Sequence, residues 1–327
     1  MSLSILAEEQ ADYEEWDARA RADQSATFFH SPLWARLYSG YAGRSMRPDG
    51  RLLTFSDGKR AVLALCGRKI LGVPFSYVSS PAGNFGGWVS GDELTVEHSR
   101  LLAGRLLRLG NVVWRENPYD PCLKQIDIAG SSEDCTQAAD LRHGFDAAYA
   151  NWSRGHVNAV NKARRMGVSV RRSQGLTDWK RHYECYRWLR RRWKVASNDY
   201  RWKLFEKLHQ SQSPQIVLWL AELEGKLLSS VVCFYWNSHA VAWHGAASPE
   251  DFKIRSNHLM YYEIMRDAAG KGIHWFDMNP SGGNRGVVEF KEHLGTVKLQ
   301  SRIVVRQSGL MRWLGGVRHL VRSGRQH

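Results

Sequence analysis

Residues 275–295, WFDMNPSGGNRGVVEFKEHLG, place a carboxylate, a glycine turn and a lysine within one short span. The pattern predicts a strand that ends at Asp277, a Pro-Ser-Gly-Gly turn, and a short helix that carries Phe290 and Lys291. Gly295 then stops the helix. A positive charge beside a flexible backbone turn could hold a carbonyl or a carboxylate group.

Two carboxylates in this span could accept a proton from an attacking amine. Asp277 stands at the end of the predicted strand, and Glu289 lies on the short helix. Glu289 suits this role only if Arg285 does not already match its charge, because a general base must reach the proton that it removes. Capping of the turn is the alternative role for Asp277.

The length and the order of elements predict two α/β domains. A chain of 327 residues suits two domains of about 150 residues. In the second half, a helix over 145–165, a strand, two helices over 178–193 and 200–210, and three antiparallel strands over 216–247 precede the helix at 258–272. The predicted domains cover residues 1–140 and 141–300. Residues 301–327 are predicted to form a strand and a basic amphipathic helix that could pack on the first domain.

Together with RSNHLMYYEIMRDAAGKGI at 255–273, the span 275–295 resembles the second domain of the Fem family within the GNAT superfamily. Fem proteins are peptidyltransferases that build peptidoglycan cross-bridges from aminoacyl-tRNA. The residues FKEHLG at 290–295 match the family pattern FK-x-x-[FL]-G, and NAVNKARRMGV at 158–168 matches another element. In the first half, the resemblance is confined to FFHSPLW at 28–34 and NFGGW at 84–88.

The resemblance implies tandem GNAT-like domains with mixed sheets flanked by helices. It also implies that Lys291 stabilises an oxyanion, together with backbone N–H groups near Ser281, Gly282 and Gly283, while Phe290 contributes to substrate binding. Lys162 would support the cleft between the domains, and a plain role on a helix surface is its alternative. The family lysine after the Trp of FFHSPLW is replaced by Tyr38, which argues against a nucleotide-muramyl substrate.

The segment KIRSNHL at 253–259 bears on the identity of the donor. GNAT enzymes that use acyl-CoA hold its pyrophosphate on a glycine-containing loop, where backbone N–H groups approach the anion. This segment has no glycine, and Ser256, Asn257 and His258 would fill the space. A capping role for Ser256 or Asn257 and a weaker anion site at the helix start remain. We therefore expect aminoacyl-tRNA as the co-substrate, no cofactor and no metal.

Tryptophan and arginine alternate densely over 179–203. On a helix, the apolar positions form one stripe, which predicts core packing, and the basic positions form a broad arc. Arg190 and Arg191 of this arc, with Tyr200, could bind phosphates of a tRNA or of a nucleotide- or lipid-linked precursor; a solvated face is the alternative. The stripe comprises Tyr183, Tyr186, Leu189 and Trp193, and the arc comprises Arg187, Arg190, Arg191 and Lys194.

The net charge of +14 and the pI near 9.7 favour anionic partners. No signal peptide or membrane span is evident, and the five cysteines are widely spaced, so we expect a cytoplasmic protein. The basic stretch at 309–327 could contact an anionic membrane or dock on the first domain. His239 and His244 are predicted to be packed and hydrogen-bonded, with His244 on the same side of its strand as Ala242.

The sequence therefore predicts an aminoacyltransferase that forms an amide bond between aminoacyl-tRNA and an amine. The acceptor would be a cell-wall precursor, a peptide or a small molecule. The first alternative is an acyl-CoA-dependent N-acyltransferase. The second is a non-catalytic protein that associates with nucleic acid or membrane. The oligomeric state is left open.

Overall fold

The structure is a computed structural model that describes residues 2–43, 45–70, 73–82, 85–193 and 200–307. Lys194 and the basic stretch at 309–327 lie outside the described residues, as do Asn84 of NFGGW and the side chain of Trp193. The described residues form two compact units, the first made of 2–23, 29–134 and 301–307, and the second of 24–28 and 135–300. The predicted boundaries at residues 140 and 300 stay predictions.

Unit 1 contains one mixed sheet with helices against it. Its elements are β1 (Ile5–Gln10), α1 (Tyr13–Ala22), α2 (Pro32–Ala42), β2 (Met46–Pro48), β3 (Arg51–Phe55), β4 (Arg60–Ile70), β5 (Val73–Ser79), β6 (Gly87–Val89), α3 (Val96–Leu107) and β7 (Val112–Arg115). The strand β8 (Ser131–Asp140) follows and enters unit 2. Ser31 caps α2 with Pro32 at its first position, and the Asp57-Gly58 turn joins β3 to β4.

The strands of unit 1 run in the order β1, β3, β4, β5, β7, and only the β5–β7 pair is parallel within this series. The last strand of the chain, β14 (Val297–Arg306), pairs with β7 through Ile303–Arg306. Buried side chains such as Leu53, Phe55 and Trp114 form the core of this unit.

Unit 2 carries the span that the sequence singled out. Its elements after β8 are α4 (Phe145–Ala150), α5 (Arg154–Arg165), β9 (Ser169–Arg172), α6 (Leu176–Trp193), α7 (Trp202–Gln210), β10 (Ile216–Leu223), β11 (Lys226–Trp236), β12 (His239–Ala247), α8 (Asp251–Ile254), α9 (Ser256–Gly270), β13 (Trp275–Asp277) and α10 (Arg285–Glu292). The strand order is β9, β10, β11, β12, β13, β8, with β12 and β13 parallel and the other pairs antiparallel.

The core of unit 2 lies between its sheet and the helices α4, α5 and α9, with Val160, Met260, Ile264 and Phe276 completely or almost completely buried. The three predicted antiparallel strands are β10, β11 and β12, joined by turns at Glu224-Gly225 and Asn237-Ser238. The fold class, α/β with mixed sheets flanked by helices, is confirmed.

One predicted helix is wrong. The pattern over 145–165 predicts a single helix, but the chain forms α4 and α5 with a break between them. Ser153 causes the break, because its side chain accepts a hydrogen bond from the backbone N–H of His156 and starts α5 anew.

Candidate functional site

The strands β12 and β13 separate at the carboxyl end of their short parallel ladder. They pair from His239 and Trp275 to Val241 and Asp277, and the ladder ends there. Beyond this point the side chain of Asn279 crosses from one strand to the other. Its amide Nδ2 donates hydrogen bonds to the carbonyl oxygens of Ala242 and Trp243, each at 3.1 Å. The opening between the strands is therefore bridged by one side chain.

Asn279 is held on its backbone as well. Its N–H donates to Asp277 Oδ1 at 2.6 Å, and its carbonyl oxygen accepts from Lys291 Nζ at 2.6 Å. The backbone is left-handed, with φ of 61°, a conformation that asparagine tolerates better than most residues. The side-chain Oδ1 is buried and has no hydrogen-bond partner in the described part of the chain. Asn279 thus ties β12, β13 and α10 together at one point.

Lys291 is a buried lysine, with only 5% of its surface exposed. Its Nζ donates to the carbonyl oxygen of Asn279 and, at 2.9 Å, to Ser281 Oγ. Burial lowers the pKa of Lys291 to about 8, against the nearby charges of Asp277 and Cys135, which raise it. An ammonium group has three N–H donors. Among the described residues, the third donor of Lys291 has no partner, so it is available to a ligand.

The turn after Asn279 lies beside this ammonium. Ser281 accepts from Lys291 and donates to Gln137 Oε1 at 3.1 Å, while Gln137 Nε2 donates to the carbonyl oxygen of Val288. Gly282 and Gly283 are exposed and have φ of 58° and 78°, values that favour glycine. The turn is therefore anchored at Ser281 and open to solvent at its two glycines.

The two predicted carboxylate bases do not fit that role. Asp277 is completely buried and accepts from Thr136 Oγ1 at 2.7 Å and from the N–H of Asn279, which is the turn-capping role. Glu289 is exposed, but its carboxylate pairs with Arg285 Nε at 2.8 Å. Both carboxylates serve local structure, and the assignment of either as the base is revised.

The start of α9 holds a carboxylate from the chain itself. Asp251 Oδ1 accepts a hydrogen bond from Ser256 Oγ and, at 2.9 Å, one from the backbone N–H of Asn257. Asp251 is buried, and burial raises the pKa of its carboxyl group against these hydrogen bonds. Arg255, with φ of 68°, precedes the helix. The prediction that Ser256 or Asn257 caps α9 is wrong, because Asp251 supplies the capping oxygen.

Several predicted binding residues instead pack within unit 2. His258 is 7% exposed, and its ring lies 4.5 Å from that of His156 and 5.3 Å from that of Phe290, measured between centroids. Burial lowers the pKa of both histidines to about 4, so they are neutral at physiological pH. Lys162 is exposed, and its Nζ donates to the carbonyl oxygen of Lys253 at 2.8 Å, which supports the alternative role on a helix surface.

Only part of the predicted basic arc on α6 is exposed. Arg187 and Arg191 are exposed, and Arg190 is half-buried with its guanidinium 5.8 Å from the centre of the Tyr186 ring. Tyr200 is buried, and its backbone N–H donates to Tyr186 Oη at 3.3 Å. The predicted use of Tyr200 in phosphate binding is therefore wrong, since the ring belongs to an aromatic core.

A β-bulge in β12 changes the direction of His244. In the β11–β12 ladder, Ala242 pairs with Cys233 and His244 with Val232, which leaves Trp243 as an extra residue. Ala242 packs in the core beside α5 and α9, whereas His244 contacts Tyr186 and Phe205 of α6 and α7. The prediction that His244 and Ala242 share a face is wrong, because the bulge inverts the alternation. The predicted hydrogen bonding of His244 is confirmed at its Nδ1, 3.0 Å from His182 Nε2.

Two further properties concern only the described residues. No group of three or more histidine, cysteine, aspartate or glutamate side chains there is arranged to hold a metal ion. No helix there has the length and apolar character required to cross a membrane.

Residues 142–292 match a family model described as an acetyltransferase (GNAT) domain. No curated protein matches the chain. The crystal structure of FemX is similar at 14% sequence identity, with a TM-score of 0.68 over 91% of this chain and 97% of that chain. The C-terminal domain of a putative lysylphosphatidylglycerol synthetase from Agrobacterium fabrum is similar at 12% identity, with a TM-score of 0.57 over 95% of this chain and 96% of that chain. The structure of L-PGS from Bacillus licheniformis is similar at 12% identity, with a TM-score of 0.52 over 92% of this chain and 93% of that chain.

The matched domain contains the strand opening, Asn279, the anchored turn and Lys291. At these identities the solved structures show a shared fold, and the family model assigns the class of domain. Residues 142–292 therefore form a GNAT-type acetyltransferase domain, and the chain has a fold similar to that of FemX.

Proposed function

We propose that the protein transfers an aminoacyl group from aminoacyl-tRNA to an amine and forms an amide bond. The observation that carries this proposal is Asp251 at the start of α9. A helix N-terminus binds phosphate because its backbone N–H groups and its dipole favour negative charge. Here that position already holds a carboxylate of the chain. A CoA pyrophosphate at the same position would have to displace a buried anion.

Asn279 adds a second obstacle to a CoA donor. Its amide bridges the opening between β12 and β13 through two hydrogen bonds. A slender donor arm that lay between these strands would break both of them and leave two carbonyl oxygens without donors, at a cost of about 1–3 kcal/mol for each buried group. A tRNA can instead present its terminal ester from outside the opening.

The chemistry follows from Lys291. The acceptor nitrogen attacks the ester carbonyl, and the carbonyl oxygen gains negative charge in the tetrahedral intermediate. The third N–H of Lys291 and the backbone N–H groups of 281–283 stabilise that oxyanion. The intermediate then breaks the bond to the ribose oxygen of the tRNA, and the proton lost by the amine ends on that oxygen. A buried ammonium acts strongly here because little water screens it.

The structural relatives agree with aminoacyl transfer. One is a putative lysylphosphatidylglycerol synthetase, named for a lipid that carries a lysyl group, and another is FemX. The Fem resemblance suggests a peptidoglycan precursor as the acceptor, with a peptide or a small molecule as the other amine-bearing candidates. The excess of basic residues suits an anionic donor such as tRNA. A cytoplasmic location, with or without contact to an anionic membrane, belongs to the same proposal.

Donor selection provides the direct test. We expect label to leave at least one member of a pool of radiolabelled aminoacyl-tRNAs and to join an added amine when the protein is present. We also expect titration calorimetry with acetyl-CoA to show no binding in the micromolar range, because the helix start is filled. Micromolar binding of acetyl-CoA, with acetyl transfer to the amine, would establish the CoA-dependent alternative instead.

The arc on α6 gives a prediction about the tRNA. If Arg190 and Arg191 each neutralise a phosphate, the Arg190→Ala, Arg191→Ala double variant should bind tRNA more weakly. Its plot of log affinity against log salt should be flatter by about 0.7 to 0.9 for each phosphate that is no longer neutralised. The measurement is a salt titration of tRNA binding by filter retention or fluorescence anisotropy.

A double variant on the neighbouring helix serves as the control. Lys203→Ala with Lys207→Ala removes the same charge from α7 of the same unit. Its salt slope should equal that of the parent. Equal slopes for all three proteins would show that the arc is only a solvated face.

A further inference from the structure

We propose that His244 is the general base that receives the proton of the acceptor amine, and that His182 and Ser230 position it. This inference rests on the proposed function, since it concerns the amine that attacks the donor ester. It also answers a question that the site leaves open, because neither Asp277 nor Glu289 fits the role of base.

The three side chains form one hydrogen-bonded chain. Ser230 Oγ lies 2.7 Å from His182 Nδ1, and His182 Nε2 lies 3.0 Å from His244 Nδ1. Ser230 on β11 and His182 on α6 are completely buried, whereas His244 on β12 is partly exposed. The exposed end of this hydrogen-bonded series is therefore the imidazole of His244, and packing fixes the side chains of His182 and Ser230.

The hydrogen bonds restrict the tautomers. When His244 Nδ1 donates to His182 Nε2, His182 Nδ1 carries a proton and donates to Ser230 Oγ. His244 Nε2 then has no proton, and it has no partner among the described residues. Burial lowers the pKa of His244 to about 3 and that of His182 far below its usual value, so both rings are neutral at physiological pH. A neutral imidazole with an open Nε2 can accept a proton.

The surroundings make His244 a transient proton acceptor. The rings around it belong to Tyr186 at 4.4 Å, Phe205 at 4.9 Å, Trp243 at 5.4 Å and Tyr200 at 5.9 Å, in addition to His182. None of these neighbours carries a negative charge at neutral pH. A proton on His244 is consequently not held in place, and it passes on to the leaving group.

The β-bulge connects this base with the oxyanion site. The extra residue Trp243 places His244 on the face of α6 and α7. The carbonyl oxygens of Ala242 and Trp243, immediately before His244, are the ones that Asn279 binds, and the carbonyl of Asn279 is bound by Lys291. His244 thus follows directly after the two residues whose carbonyl oxygens Asn279 binds, and Lys291 binds the carbonyl oxygen of the same asparagine.

The proton balance is simple. As the C–N bond forms, the amine nitrogen becomes cationic and more acidic than the free ammonium, and a positioned side chain can take its proton. His244 Nε2 takes that proton. When the bond between carbon and the ribose oxygen breaks, His244 returns the proton to that oxygen, and the ring is neutral again.

The test is chemical rescue. Single-turnover transfer from aminoacyl-tRNA to hydroxylamine, corrected for the uncatalysed reaction, should fall ~100-fold in His244→Ala. Added imidazole should restore part of this rate in proportion to its concentration, because the vacated position is partly open to solvent. His182→Gln should lose about tenfold without rescue, since it only positions His244. His209→Ala, on α7 beside Trp179, should behave as the parent.

Two results would overturn the proposal. One is a His244→Ala rate within about threefold of the parent, which is below the usual effect of a general base. The other is a rate loss that imidazole does not relieve while the melting temperature is unchanged. Either would show that His244 only packs against α6.

A second measurement tests this proposal independently of the identity of the donor. If the parent transfers no aminoacyl group, the proposed function fails. Nitrogen NMR of the histidine rings still determines which ring nitrogens carry protons in the series Ser230, His182 and His244. The proposal requires a proton on His244 Nδ1 at neutral pH, and Ser230→Ala should shift the His244 resonances. A proton on Nε2 of His244 would overturn the proposal whichever donor the enzyme uses.

Discussion

Lys291→Met is expected to lower the turnover of aminoacyl transfer by ~100-fold to ~1,000-fold, the usual range for the loss of one oxyanion-stabilising donor. Methionine keeps the length and most of the volume of the side chain but cannot donate to the oxyanion. The Michaelis constant for the donor should change much less, because the negative charge develops only in the transition state. Steady-state kinetics with a labelled aminoacyl-tRNA and an amine would measure both constants.

The same variant should melt close to the parent temperature. Removing the ammonium deprives the Asn279 carbonyl and Ser281 Oγ of a donor, which costs about 1–3 kcal/mol. Removing it also relieves the desolvation of a buried charge, a gain of similar size. Lys271→Met, at an exposed lysine of the same unit, is the matched control and should retain parental kinetics. Near-normal turnover in Lys291→Met would remove this residue from the mechanism.

The sequence predicts the parts of this site that depend on local order along the chain. The strand end at Asp277, the glycine turn and the helix with Lys291 occur where the pattern predicts them. Each of these features follows from a turn signal, a cap or a hydrophobic period within a few neighbouring residues. The burial of Lys291 does not follow in this way, since a lysine on a short helix is usually solvated.

The sequence prediction does not include Asn279 although the signal for its turn is local. It follows Asp277 by two residues and precedes Pro280, a pattern that favours a turn in which the carboxylate accepts the N–H of Asn279. Its contacts with Ala242 and Trp243 could not be foreseen, because they join residues 36 and 37 positions apart in the chain. Such contacts depend on which strands become neighbours.

The errors about His244 and about the start of α9 have a related cause. A β-bulge adds one residue to a strand, and nothing in VAWHGAA marks its position, so the alternation of faces is inferred incorrectly beyond it.

At α9, the capping carboxylate comes from five residues before Ser256, by way of a left-handed Arg255. A cap at that distance needs a particular backbone path, which residue types alone do not specify.

The buried ammonium makes a further prediction about pH, in which stability and activity change in opposite directions. The pKa of Lys291 is about 8 in the folded protein, against 10.5 for an unperturbed lysine. Between these values the unfolded chain holds the proton and the folded chain has released it. Because the unfolded state then binds more protons, the free energy of unfolding should rise with pH through this window, by up to about 3 kcal/mol.

Turnover should fall over the same window, because neutral Lys291 is a much weaker donor to an oxyanion. The expected decline approaches tenfold for each pH unit above about 8, and hydroxylamine avoids a change in the charge of the acceptor. Urea unfolding and single-turnover rates from about pH 7 to about pH 10 would measure both trends. Lys291→Met should lack this contribution to the rise in stability and the break in rate at about pH 8. If stability and rate of the parent declined together, the loss of activity would be unfolding, and the charge of Lys291 would have no part in it.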